Sequence, residues 1–197
     1  MRMTLLAMLI SLGMTAGVLA QDASPTLGRF QIGVELDAMS MQHRTFETDD
    51  AGLYMGLSVF GHVRNDWYVG AELGVGGSMS IFGYEESSFV PLEVNAKRAF
   101  RLANHFAADL GAGLSYGHVD FSHSLFVDDP VEINEWVLGT QIFGGLLVDA
   151  GPFFVGVRLK YQLTMDAEEI ADFISPDEGW DYSNLRVGAQ VGFMLPD

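Results

Sequence analysis

The sequence predicts an all-β chain whose eight antiparallel strands close into a transmembrane up-and-down barrel. Three observations predict it. Polar and apolar residues alternate with a period of two through eight separate segments, the pattern of a strand with two unlike faces. The connections between those segments run alternately long and short. The chain is 197 residues long, 49% hydrophobic and only 18% charged, with 23 glycines. After residue 20 it has no apolar run long enough to cross a bilayer as a helix, so a membrane reading must use strands.

The N-terminus predicts export. Arg2 supplies a positive start, residues 5–18 are mostly apolar, and Val18-Leu19-Ala20 places small or modest side chains at the usual cleavage positions. Residues 1–20 are thus expected to be a signal peptide cut after Ala20, with residues 21–197 forming the barrel domain. Ala23, Ser24 and Pro25 read as a short lead-in.

The strands are expected at 29–38, 52–63, 66–77, 88–98, 104–118, 134–148, 152–163 and 184–195. In the first, Phe30, Ile32, Val34 and Leu36 oppose Gln31, Gly33, Glu35 and Asp37. In the third, Trp67, Val69, Ala71, Leu73 and Val75 oppose Tyr68, Gly70, Glu72, Gly74 and Gly76. The last sets Leu185, Val187, Ala189, Val191 and Phe193 against Arg186, Gly188, Gln190 and Gly192. Each strand has one consistently apolar face.

The other face carries Glu35, Glu72, Glu93, Lys97, Asp109, Arg158, Lys160 and Arg186. An Arg or Lys facing lipid at the midplane costs roughly 2–4 kcal/mol, so these residues are assigned to the interior. Four acids and four bases can pair there, and eight strands enclose only enough space for side chains to fill. Arg98 is the exception on the apolar face; beside a turn, its long side chain can reach the headgroups. Gly33, Gly56, Gly70, Gly74, Gly111, Gly113, Gly139, Gly156, Gly188 and Gly192 share the charged face, where they leave room for large inward partners. Tyr54, Phe60, Tyr68, Phe143 and Phe154 either line a slender path or seal it.

The connections fall at 39–51, 64–65, 78–87, 99–103, 119–133, 149–151 and 164–183. Short periplasmic turns and long external loops produce that alternation. On the apolar face, Phe30, Trp67, Phe106, Phe153 and Phe193 then lie near the periplasmic ends, with Tyr116, Trp136 and Tyr161 near the outer ends. They form two candidate aromatic girdles at the headgroup levels.

With 26 acidic against 10 basic residues, the formal net charge is −16. No nucleic-acid partner is expected for such a surface. The absence of cysteine excludes disulfides and thiolate sites. The excess acid falls in the long connections: Glu47, Asp49 and Asp50; Glu85 and Glu86; Asp120, Asp128, Asp129 and Glu132; Asp166, Glu168, Glu169, Asp172, Asp177, Glu178 and Asp181. Carboxylate clusters can recruit divalent cations and bridge to anionic lipopolysaccharide, but no spacing here forms a calcium loop. No metal site or cofactor is assigned.

The signal peptide, eight amphipathic segments and closing strand Leu185-Arg186-Val187-Gly188-Ala189-Gln190-Val191-Gly192-Phe193 resemble the small eight-stranded outer-membrane barrel proteins of bacteria. That group includes the OmpA transmembrane domain, OmpX-like and opacity-type surface proteins. The resemblance covers nearly all of residues 21–197 and implies residence in the cell outer membrane and insertion by the barrel-assembly machinery. It also implies contact with outer-membrane lipid and lipopolysaccharide. Such proteins commonly end on an aromatic residue, whereas here Met194-Leu195-Pro196-Asp197 follow Phe193. The chain is expected to be the barrel alone, without a peptidoglycan-binding domain, and a monomer.

A structural or surface-interaction role, with an unidentified extracellular ligand at the external loops, is the reading these features favour. A narrow passive channel is one alternative. A lipid-modifying enzyme is another: His118, Ser122, His123 and Ser124 offer a nucleophile and base, with Asp120 or Glu135 to orient it. They do not match the His-x-Ser arrangement of lipid A deacylase barrels, so no catalytic residue is assigned. A soluble ligand-carrying barrel would reverse the faces, apolar inside and polar outside.

Overall fold

The computed structural model describes residues 27–42, 49–79, 85–123, 131–164 and 183–195. The expected signal peptide, and the loop carboxylates within 43–48, 124–130 and 165–182, lie outside the described residues. Eight strands follow in chain order: β1 (Phe30–Gln42), β2 (Asp49–Arg64), β3 (Trp67–Met79), β4 (Glu85–Ala103), β5 (Phe106–His123), β6 (Val131–Ala150), β7 (Phe153–Thr164) and β8 (Asn184–Leu195). Each pairs antiparallel with its sequence neighbour, and β1 also pairs with β8 to close the barrel.

The period-two pattern becomes the two surfaces of this barrel. Leu36, Leu53, Leu73, Leu92, Leu114, Leu138, Val157 and Val187 are among many large apolar side chains exposed on its outside, while Glu35, Glu72, Lys97, Arg158 and Arg186 are buried inside. A barrel in water has the opposite arrangement, so this one is built for lipid. β7 and β8 have 12 residues each. At roughly 3.3 Å per residue that is about 40 Å, and a tilt near 40° leaves about 30 Å along the axis, the thickness of a hydrocarbon core.

Several strands are longer than the alternation implies. β4 runs through 99–103, which the sequence reading placed in a connection. Ala99 is buried inside, Phe100 pairs with Ala108, and an irregularity between Arg101 and Ala103 absorbs the end of the strand. β5 extends to His123 and β6 begins at Val131, shortening the connection expected at 119–133. The pattern is hidden there because its phase inverts. Phe89, Val119 and Val137 point inward and are buried, while Ser88, Asp120 and Asn134 lie on the outer face at one register level. Where the strands leave lipid for water, polar residues can face outward.

The turn end is tight. Asn65 and Asp66 both take positive φ, 49° and 63°, a conformation that suits short β-hairpins and that Asn and Asp tolerate better than most residues. Of the inward glycines, Gly74 and Gly188 show what a side chain would cost. A Cβ on Gly74 would collide with the Tyr54 phenol, and one on Gly188 with the Asp37 carboxylate.

Candidate functional site

The barrel interior holds all eight charged residues assigned to it from the sequence, each between 0 and 4% exposed. Glu72 on β3 and Glu93 on β4 are direct register partners. Lys160 on β7 and Arg186 on β8 are also direct register partners. In an eight-stranded barrel these strand pairs face each other, so an acid pair looks across the lumen at a base pair. Like charges directly opposed on neighbouring strands destabilise a sheet. Here each pair supplies what the other lacks.

Lys160 Nζ donates to Glu72 Oε1 at 2.6 Å and to Glu93 Oε2 at 2.9 Å. Arg186 Nη2 donates to Glu93 Oε1 at 2.7 Å and to Gln162 Oε1 at 2.8 Å. Tyr54 Oη donates to Glu72 Oε1 at 2.9 Å and its ring lies 4.1 Å from the Arg186 guanidinium carbon. Gln141 Nε2 donates to both Glu93 Oε2 and Asn95 Oδ1 at 2.7 Å. Each charge therefore has several partners, which is what desolvated ions require.

A second set lies toward the turn end. Arg158 Nη1 donates to Glu35 Oε1, and its guanidinium also lies 3.7 Å from Glu72 Oε2 and 3.8 Å from Asp109 Oδ2. Lys97 Nζ donates to Asp109 Oδ2 at 2.9 Å and sits 4.3 Å from the centre of the Phe60 ring. Below it, Leu27, Phe60, Tyr68, Ala99, Ala107, Phe143, Leu147, Phe154 and Met194 form an apolar floor.

The interior set read from the sequence omits the neutral partners Asn95, Gln141 and Gln162, and two further residues. Asp37 is buried on the charged face, and its Oδ1 has no hydrogen-bond partner; the sequence placed it on the polar face but left it out of the charge set. It makes the interior acids five to four bases. Leu27, which lies ahead of the first expected strand and was given no role, is buried in the floor. Its carbonyl accepts from Gln31 Nε2 at 3.0 Å, and the Gly28 carbonyl accepts from Tyr68 Oη at 3.2 Å. Gly28, at φ 66°, makes that fold-back possible.

On the outer surface, Phe30, Trp67, Phe106, Phe153 and Phe193 are 46–54% exposed near the turn end, with Phe153 and Phe193 at 4.8 Å. Toward the loop end Tyr116 and Trp136 stack at 4.9 Å, and Tyr161 is half-buried. Just above, His118 Nε2 is 2.7 Å from Asn134 Oδ1, and Asn134 Nδ2 donates to Asp120 Oδ1 at 2.7 Å. Ser88 Oγ donates to Asp120 Oδ2 at 3.4 Å. His118 is thus held by Asn134 and Asp120. The side chains of Ser122, His123 and Glu135 are not described, and Ser124 lies outside the described residues.

At the turn-end rim, outside the lipid-facing band, Asp149 joins two hairpins. Arg101 Nη1 donates to Asp149 Oδ2, and His105 Nδ1 is 3.0 Å from Asp149 Oδ1. Burial works against ionisation of Asp149, but the hydrogen bonds from His105 and Arg101 outweigh it and hold the carboxyl below its usual range.

No family model and no curated protein matches the sequence. Solved structures do match. Neisserial surface protein A (NspA) superposes with a TM-score of 0.62 at 11% identity, over 85% of this chain and 98% of that one. Ail, the attachment invasion locus protein of Yersinia pestis, does so with 0.55 at 15% identity, over 85% and 100%. Ail in complex with the heparin analogue sucrose octasulfate gives 0.51 at 16% identity, over 83% and 97%. With its apolar exterior, charged interior and closed eight-strand order, the chain has the fold of the small bacterial outer-membrane β-barrels.

Proposed function

We propose that this chain is a structural and surface-interaction protein of the outer membrane, with a lumen closed to solutes and acidic external loops as its contact surface. The observation that carries the reading is the meeting of Glu72 and Glu93 with Lys160 and Arg186 across the middle of the barrel. Large side chains that pair across the section of so narrow a barrel leave no continuous aqueous path. The apolar floor supports the same reading from below.

The contact surface follows from charge. The segments beyond the loop end carry many carboxylates and, in Arg44, a single Lys or Arg. A cationic or hydroxyl-rich partner suits that field, as does lipopolysaccharide bridged by divalent cations. Ail is named for attachment and invasion, and a contact role at the cell surface is in keeping with such a neighbour. The polyanion bound in one Ail structure has the wrong sign for these loops. His118, engaged by Asp120 and Asn134, is assigned to the outer rim of this surface and not to catalysis.

The test is binding to the folded barrel in nanodiscs. An oligolysine peptide should bind at low salt and be released as ionic strength rises, because screening shortens to about 10 Å at 0.1 M. Heparin should not bind. Heparin binding with no oligolysine binding would contradict the assigned contact surface.

A further inference from the structure

The base content of the lower barrel points to a ligand of its own. Arg64, Trp67 and Arg98 form one row: Arg64 pairs with Trp67 across β2 and β3, and Trp67 pairs with Arg98 across β3 and β4. Directly paired residues share a sheet face, and Trp67 is on the outside, 47% exposed. Arg98 shares the outer face of Trp67, and Arg64, which follows a register irregularity after His62 at the end of β2, is exposed beside it, so the two guanidiniums flank a member of the turn-end aromatic band. Their Cα atoms are two strand spacings apart, about 10 Å, within the combined reach of two arginine side chains.

Neither arginine has an acidic partner among the described residues. The contrast lies three residues along β4, where Arg101 is tied to Asp149. Arg98 is half-buried, its guanidinium carbon lies 5.3 Å from the Phe100 ring centre, and its Nε is buried with no hydrogen-bond partner. An arginine on the lipid face is tolerable near the interface, where its cost falls steeply from that at the midplane. At that depth the available counter-charge is the headgroup phosphate. The planar fork of arginine matches a phosphate bidentately, and tryptophan settles at the same level.

We propose that Arg64, Trp67 and Arg98 form a binding site for the phosphodiester of a glycerophospholipid in the periplasmic leaflet. Trp67 lies against the glycerol and upper acyl chain, and the two guanidiniums hold the phosphate. A lipid of net negative charge binds more tightly than a zwitterionic one, whose own ammonium competes for the phosphate. The site rests on the membrane placement of the barrel and is independent of whether the lumen conducts.

Native mass spectrometry of the folded barrel from a neutral detergent tests this, with heat-modifiable gel migration confirming the fold of each variant. Added phosphatidylglycerol should be retained in preference to phosphatidylcholine. The double variant R64Q/R98Q should retain at least about tenfold less, the scale of one charge-assisted hydrogen bond lost. R29Q, on the same rim but outside the row, should retain as much as the parent. If the double variant does not fold, R98K, which keeps the charge but not the fork, should show partial loss. Equal retention by parent and R64Q/R98Q, or by parent and R98K, would overturn the site. So would an equal loss in R29Q, or displacement of the lipid by millimolar inorganic phosphate, which would mark a free-anion site.

Discussion

Glu72 and Glu93 stand side by side on neighbouring strands inside the barrel, and the ammonium of Lys160 reaches both of them from the opposite wall. The substitution Lys160→Met should therefore do more than delete a contact. It leaves two desolvated carboxylates apposed, and the expected loss is about 3–5 kcal/mol. Urea unfolding in lipid vesicles measures it. In the double variant with Glu93→Gln the losses should be clearly less than additive, since the second change removes the repulsion the first exposes. Strict additivity would show that the two side chains do not act together.

Arg158 serves Glu35, Glu72 and Asp109 together. Arg158→Ala should lower the urea midpoint substantially, by the same unpaired-charge mechanism. A midpoint equal to that of the parent would remove Arg158 from the stabilising network.

The inward glycines are expected to be intolerant where an aromatic ring occupies their space. Gly74→Val drives a side chain into Tyr54, the ring that donates to Glu72, and should cost at least about 2 kcal/mol or prevent folding. On the outer face, a Cβ at Gly61 would meet only the Phe30 ring at 3.4 and 3.7 Å and a backbone oxygen at 4.0 Å. Gly61→Ala should stay within about 0.5 kcal/mol of the parent. Reversed sensitivities would mean that the two faces have been exchanged.

These contrasts also show what could be read from sequence. The run from Phe30 to Asp37 alternates cleanly, and the structure sends each residue to the expected side. The strand ends at 119–123 and 131–133 were placed in a connection because polarity changes face at the water boundary, so a single alternating pattern cannot be followed through it. Asp37 was visible as polar, but nothing local separates an interior acid from a rim acid. Leu27, ahead of the expected start of the first strand, drew no assignment because a one-residue reversal at Gly28 leaves no periodic trace. Which acid meets which base was out of reach for another reason. Arg186 and Glu93 are 93 positions apart, and only closure of the barrel sets the relation between strands that are not neighbours.

The rim cluster should make stability depend on pH. The folded-state pKa of Asp149 is depressed, so its contribution is fully present above the unfolded carboxylate value, about 3.9. It is lost as pH falls through the lower native value. The difference in urea midpoint between the parent and Asp149→Asn should be large at pH 7 and shrink below about pH 4. A difference independent of pH would assign the effect to packing and not to the ion pair with Arg101 and the hydrogen bond with His105.

The most direct test of the closed lumen is conductance across a planar bilayer, with folding and insertion of the same preparation verified by heat-modifiable migration. The expected result is a current at baseline across the accessible voltage range, because Lys160 and Arg186 meet Glu72 and Glu93 across the interior. Reproducible unitary steps from the inserted parent protein would contradict it.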